Sequence, residues 1–263
     1  MEHLIKLVLR QDRLAVGFAL AAVGSVTWFY LVREGQRFAA TGVCDCAAVA
    51  IGGPDLSPWQ PQTLIPLFLM WIEMMFAMML PAVAPLVLLF SKVAHSRCER
   101  GEPYVPTFFF ASGYFSVWSV FSLGAAVAQW VLHGTALLSS EMASSTPLLA
   151  AALFVSAGLF QFSPLKTTCL NHCRAPLTFL MTEWRDGRRG AFLMGWKHGL
   201  FCTLCCWLLM LLLFAVGVMN IVWIVALALF ALVERVSPRS WHVAQASGVG
   251  LIVFGAWLAL TKL

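Results

Sequence analysis

Apolar residues run along this chain in long stretches separated by short polar or basic ones, at about 14–32, 64–92, 106–132, 147–163, 191–216, 218–236 and 242–262. Each is close to the ~20 residues that a helix rising 1.5 Å per residue needs to cross roughly 30 Å of hydrocarbon. The pattern predicts an all-α protein: a polytopic transmembrane helix bundle of about seven spans. Lys6, Arg10 and Arg13 precede the first run as in a signal peptide, but no small-residue cleavage site is clear and the chain re-enters the membrane repeatedly. That run therefore reads as a retained first helix.

Composition strengthens the picture. Hydrophobic residues make up 60% and charged residues 11% of the 263 positions, and the mean hydropathy is +0.84, which excludes a soluble domain of this length. No loop is large enough for a soluble domain and no internal repeat stands out, so residues 1–263 are expected to form a single integral membrane domain. Basic residues mark the sidedness. The N-terminus, the loop with Lys92, Arg97 and Arg100, the loop with Lys166, Arg174, Arg185, Arg188 and Arg189, and the turn with Arg235 and Arg239 carry nearly all of them. Alternate loops carry only Arg33 and Arg37. The positive-inside rule then puts the N-terminus in the cytoplasm of a multi-pass protein, expected in a bacterial inner (plasma) membrane. The net charge of +5 reflects that topology, not a nucleic-acid footprint, because no basic cluster lies on a soluble fold.

Three constellations carry candidate chemistry. In the run 191–216, His198, Cys202 and Cys205 fall within roughly 60° of one another on a helix, and Cys206 and Met210 continue that side. Each cysteine alone reads as a small hydrophobe; several in phase with a histidine, at a depth where polar groups are costly, read as a metal site. In the run 64–92, Met70, Met74 and Met78 form an i, i+4, i+8 stripe beside Glu73. Methionine stripes commonly mean packing, yet thioethers also select Cu(I), and an intramembrane carboxylate must be protonated, paired or metal-bound. If this span lies antiparallel to the first, Glu73 comes level with Cys205 and Met78 with His198. Pro66, Pro81 and Pro85 can bend it. The third constellation is Cys169 and Cys173, one helical turn apart with His172 between them, at the inner end of the run 147–163. It suits metal exchange, a thiol pair, or an interfacial cap in which Lys166 and Arg174 anchor to head groups. Cys44 and Cys46 lie in an expected outer loop, where an oxidising compartment permits a disulfide, a metal clamp or two exposed thiols.

The segments Glu73–Pro81, Ser163–Pro176 and Lys197–Met210, followed by Gly217-Val-Met219-Asn220, together resemble an uncharacterised bacterial family, a domain of unknown function whose members are labelled predicted metal-binding integral membrane proteins. The resemblance covers most of the membrane region and implies metal binding without implying a reaction.

From the residues, the preferred reading is a transition-metal-binding membrane protein, with Glu73, Met74, Met78, His198, Cys202, Cys205 and Cys206 as intramembrane ligands and Cys169 and Cys173 exchanging metal at the inner face. Thiol, thioether and imidazole donors favour copper as Cu(I), then zinc as Zn(II), over oxygen-seeking ions. Partners would be the lipid bilayer and a metal-accepting protein. A thiol–disulfide electron relay with a thiol redox partner, and a membrane-embedded metal-dependent enzyme, are the alternatives. The chain lacks a Gly-x4-Gly-Lys-Ser/Thr loop, which argues against ATP-driven pumping by this chain alone.

Overall fold

Away from water a backbone amide is costly to leave unpaired, and a helix pairs its amides within one segment. In the computed structural model, which describes residues 2–41, 61–135, 146–237 and 240–262, all regular structure among the described residues is accordingly helical. The helices are α1 (Glu2–Thr41), α2 (Leu64–Cys98, entered through a 3-10 turn at Pro61–Thr63), α3 (Thr107–Gly134), α4 (Pro147–Phe160), α5 (Pro164–Arg174), α6 (Pro176–Glu183), α7 (Gly187–Leu211), α8 (Leu213–Val216), α9 (Ile221–Val236) and α10 (Ser240–Lys262).

By length and composition, the helical stretches Val16–Arg37, Pro61–Cys98, Thr107–Gly134, Gly187–Val216 and Trp241–Thr261 can each cross a membrane. The expected seven therefore become five, or six if a bent pair counts as one span. Two local features account for the difference. The run 147–163 does not cross straight: α4 stops at Phe160 and α5 leaves at 66°, because Ser163 is held extended at φ −68°, ψ 137°, its side chain capping the Leu165 amide, with Pro164 opening the new helix. The run 218–236 is shortened at its start by Gly217, at φ +99°, and by Asn220, whose side chain caps the Val222 amide. The 16 residues of α9 extend about 24 Å, short of the hydrocarbon thickness. Pro81 and Pro85, by contrast, sit inside α2 without ending it.

Glycines set the closest helix contacts. A Cβ on Gly113 of α3 would run into the Phe192 carbonyl of α7, and one on Gly195 into the Phe110 carbonyl of α3. At Gly199 it would come within 2.9 Å of the Tyr114 carbonyl oxygen. Gly195 and Gly199 stand one turn apart, so the two backbones touch along a small-residue seam, the packing that membrane helices use where burial from water contributes little. The same device joins α4 to α10 at Gly158, Gly248 and Gly255.

The α2 helix packs on α3, α1 and α9 and runs antiparallel to α7. Trp71 meets Phe214, just past the end of α7, at a ring distance of 5.1 Å, while Phe90 stacks on Trp184, just before its start, at 5.4 Å. This register differs from the one expected. Met79, not Glu73, comes level with Cys202 and Cys205, and Glu73 lies about 9 Å farther toward the Phe214 end, six residues along the helix.

A buried sulfur cluster as candidate metal centre

The stripe of α7 that faces the protein comprises Ala191, Met194, Gly195, His198, Gly199, Cys202, Cys205, Cys206, Leu209 and Met210, a spacing of three and four that follows from 3.6 residues per turn. Cys202, Cys205 and Cys206 are 0%, 2% and 1% exposed. The Cys205 and Cys206 thiols both donate to the Cys202 carbonyl, at 3.0 and 3.1 Å. The Cys202 sulfur itself turns toward α3 and α9. It lies 2.8 Å from the Tyr114 hydroxyl and accepts from an Arg235 guanidinium nitrogen at 2.7 Å.

That nitrogen, Nη2, also lies 3.9 Å from the Cys205 sulfur and 4.0 Å from the Met79 thioether. From α5, the Cys173 side chain comes close enough to Cys205 for the two thiols to interact. Cys169, one turn earlier and 2% exposed, is within electrostatic range of Cys205. The site therefore takes sulfur atoms from α2, α5 and α7, a hydroxyl from α3 and a cation from α9. Cys98, Cys169, Cys173, Cys202, Cys205 and Cys206 are all free thiols.

Among the candidates named from sequence, Cys169, Cys173, Cys202, Cys205 and Cys206 come together. His198, one turn before Cys202, is 2% exposed between the rings of Tyr114, at 6.0 Å, and Phe179, at 5.2 Å. Its Nδ1 has no hydrogen-bond partner among the described residues. His172 turns elsewhere, stacked on Phe201 at 4.3 Å with Nδ1 2.9 Å from the Thr168 carbonyl. Glu73 is only half-buried, and its charged neighbour is Glu34 of α1. Met74 and Met78 are buried in the hydrophobic core, and the thioether recorded beside the Cys202–Arg235 contact is that of Met79. Cys44 and Cys46 lie outside the described residues.

The sequence reading missed Tyr114, Met79 and Arg235. For the last, the usable signal in the sequence is an arginine near the end of an apolar run, a position that equally fits a topology marker. Lys166 needs the opposite correction. It does not reach for head groups: at 1% exposure, its ammonium donates to both oxygens of Glu234, each at 2.8 Å. Arg174 donates to the Ser237 carbonyl. These contacts tie α5 to α9, which holds the Cys169–Cys173 helix beside the helix that carries Arg235.

Among the described residues, no three His, Cys, Asp or Glu side chains already form a coordination cage. The donors that do converge are sulfurs in a dry setting, which suits a soft ion of low coordination number and does not suit Mg or Ca. Residues 68–258 match the PpoB2 family, described as copper chaperones. The matched segment is more than half of the chain and contains every side chain of the sulfur cluster. No curated protein matches, and no solved structure does.

Proposed function

As the chain belongs to the PpoB2 copper chaperone family, we propose that it is a multi-pass membrane protein that accepts Cu(I) on its buried thiols and hands it to a protein acceptor. Copper is the cargo here. The observation that carries the reading is the meeting of Cys173 from α5 with Cys205 from α7, beside Cys202 and the Met79 thioether. Thiolate and thioether donors select Cu(I), and burial keeps the ion from water and oxidants. Cys202, Cys205 and Cys173 are the proposed first ligands, with Cys206, Cys169 and His198 within reach as the ion moves. Copper stays Cu(I) throughout, and each thiol that binds releases its proton. Glu73 has no part in this site, and Zn(II) is the weaker cargo because thiolates serve both ions whereas the Met79 thioether favours Cu(I). The basic N-terminus and the basic end of α2, with Lys92, Arg97 and the following Arg100, support an N-terminus in the cytoplasm, in an inner membrane.

The test is Cu(I) binding by the full-length protein in mild detergent under anaerobic conditions, measured by competition with a chromophoric Cu(I) chelator. Wild type should retain Cu(I), and Cys202→Ser, Cys205→Ser and Cys173→Ser should each lose affinity while still folding. Equal retention by all three sinks the assignment.

The Cys173–Cys205 contact also favours a second reading, thiol–disulfide exchange between helices. It requires sulfurs that can approach bonding distance. Mass spectrometry of the protein alkylated after mild oxidation separates the two. A Cys173–Cys205 crosslink formed and reduced in turnover with a thiol partner, without copper, supports the relay.

A further inference from the structure

Arg235 is an unusual neighbour for a copper site. Its Nη2 sits among three sulfurs, 2.7 Å from Cys202, 3.9 Å from Cys205 and 4.0 Å from Met79. A cation already stands where those sulfurs converge. Among the described residues no carboxylate pairs with it: the adjacent Glu234 gives both oxygens to Lys166. The Lys166–Glu234 pair cancels its own charge, so the guanidinium is the net positive charge beside the sulfurs. Arg235 is also the penultimate residue of α9 and is 9% exposed, against 0% for Cys202. A long side chain at a helix end can carry its head group to the interface while its stem stays buried.

We propose that Arg235 is a tethered cation that holds the sulfur site in its empty form and is exchanged for Cu(I), so that its departure admits the ion and its return drives the ion out toward an acceptor. The inference rests on the copper-carrier reading and adds a mechanism for release. Few-coordinate Cu(I) on thiolates is held tightly, and a chaperone must let go. A competitor built into the chain solves this, because its effective concentration at the sulfurs is high and fixed by its short tether. The exchange puts one monovalent cation in the place of another, and the thiol protons released on binding leave the loaded site more negative than the empty one. No oxidation state changes: Cu–S bonds to the carrier that brings copper break, Cu–S bonds to Cys202 and Cys205 form, their thiol protons leave to solvent, and the guanidinium keeps its protons. Tyr114 positions the Cys202 sulfur from the other side and has no charge to exchange.

The experiment measures Cu(I) affinity and the rate of Cu(I) release to a chromophoric chelator, for full-length wild type, Arg235→Gln and Cys202→Ser under anaerobic conditions. Removing the competitor should raise affinity about tenfold or more and slow release by a similar factor, about 1.4 kcal/mol by the usual conversion. An Arg235→Gln affinity equal to or below wild type, with Cys202→Ser still impaired, overturns the exchange and makes Arg235 a counter-ion of the loaded site. Failure of wild type and Arg235→Gln alike to bind Cu(I) overturns the copper site and the exchange together. A readout on unmodified protein covers the case in which the variant does not fold: phenylglyoxal, which attacks guanidinium groups, should label Arg235 more readily in Cu(I)-loaded protein than in empty protein. Equal labelling of Arg235 in the two forms overturns the exchange.

Discussion

Replacing Lys166 by Met leaves the Glu234 carboxylate inside the protein with neither of its two 2.8 Å contacts. Both partners are within 3% of full burial, so water cannot take over the lost role without rearrangement. Removing one member of such a pair costs about 3–5 kcal/mol, because the desolvation of the remaining charge is no longer offset. At 1.4 kcal/mol per factor of ten, the folded-to-unfolded ratio falls roughly a hundred- to a few-thousand-fold. Glu234→Leu should cost a similar amount by stranding the ammonium. The double variant Lys166→Met, Glu234→Leu removes both charges and fills the space with apolar atoms, so its cost should be less than that of either single change. Unfolding of the full-length protein in mixed micelles with rising SDS fraction, followed by tryptophan fluorescence, measures all three. If the double variant loses the sum of the singles, the two side chains are not coupled and the buried pair does not join α5 to α9.

Other predictions concern packing, cargo and sidedness. Gly195→Leu should prevent the α3–α7 contact and abolish the monodisperse peak in size-exclusion chromatography, because its Cβ has nowhere to go beside the Phe110 carbonyl; Gly124→Ala, on α3 with nothing within 4 Å of the added carbon, should elute as wild type. Trp71→Phe removes the donor that reaches Gln129 Oε1 at 2.6 Å and should destabilise the protein by about 0.5–1.5 kcal/mol, the net worth of one hydrogen bond; no loss in the SDS titration argues that the contact contributes nothing to stability. Glu73→Gln should leave Cu(I) affinity unchanged while Cys205→Ser lowers it, and the reverse order returns the carboxylate to the ligand set. In a variant with Cys44 and Cys46 replaced, a membrane-impermeant maleimide should label half-buried Cys98 only from the cytoplasmic face; labelling from the opposite face inverts the topology.

Much of this protein was legible in one dimension because long apolar helices obey constraints that are local along the chain. Apolar run length and the need to pair every amide within its own segment dictate helices, and the 3.6-residue period put Cys202, Cys205 and Cys206 on one face of α7 before any neighbour was known. The break after Phe160 is likewise local, written in Ser163-Pro164. Contacts between distant segments were not legible. The rotation and register of α2 depend on how closely its neighbours approach, and glycine seams elsewhere in the bundle help set those distances. That register brought Met79, not Glu73, to the thiols. Lys166 and Arg235 show the same limit most plainly. Read along the sequence, each is a basic residue near the end of an apolar run and belongs at the interface. Only the tertiary structure gives Lys166 the Glu234 carboxylate and Arg235 the sulfurs of Cys202, Cys205 and Met79, because burying a charge depends on its partner in space, and that partner is up to 156 positions away.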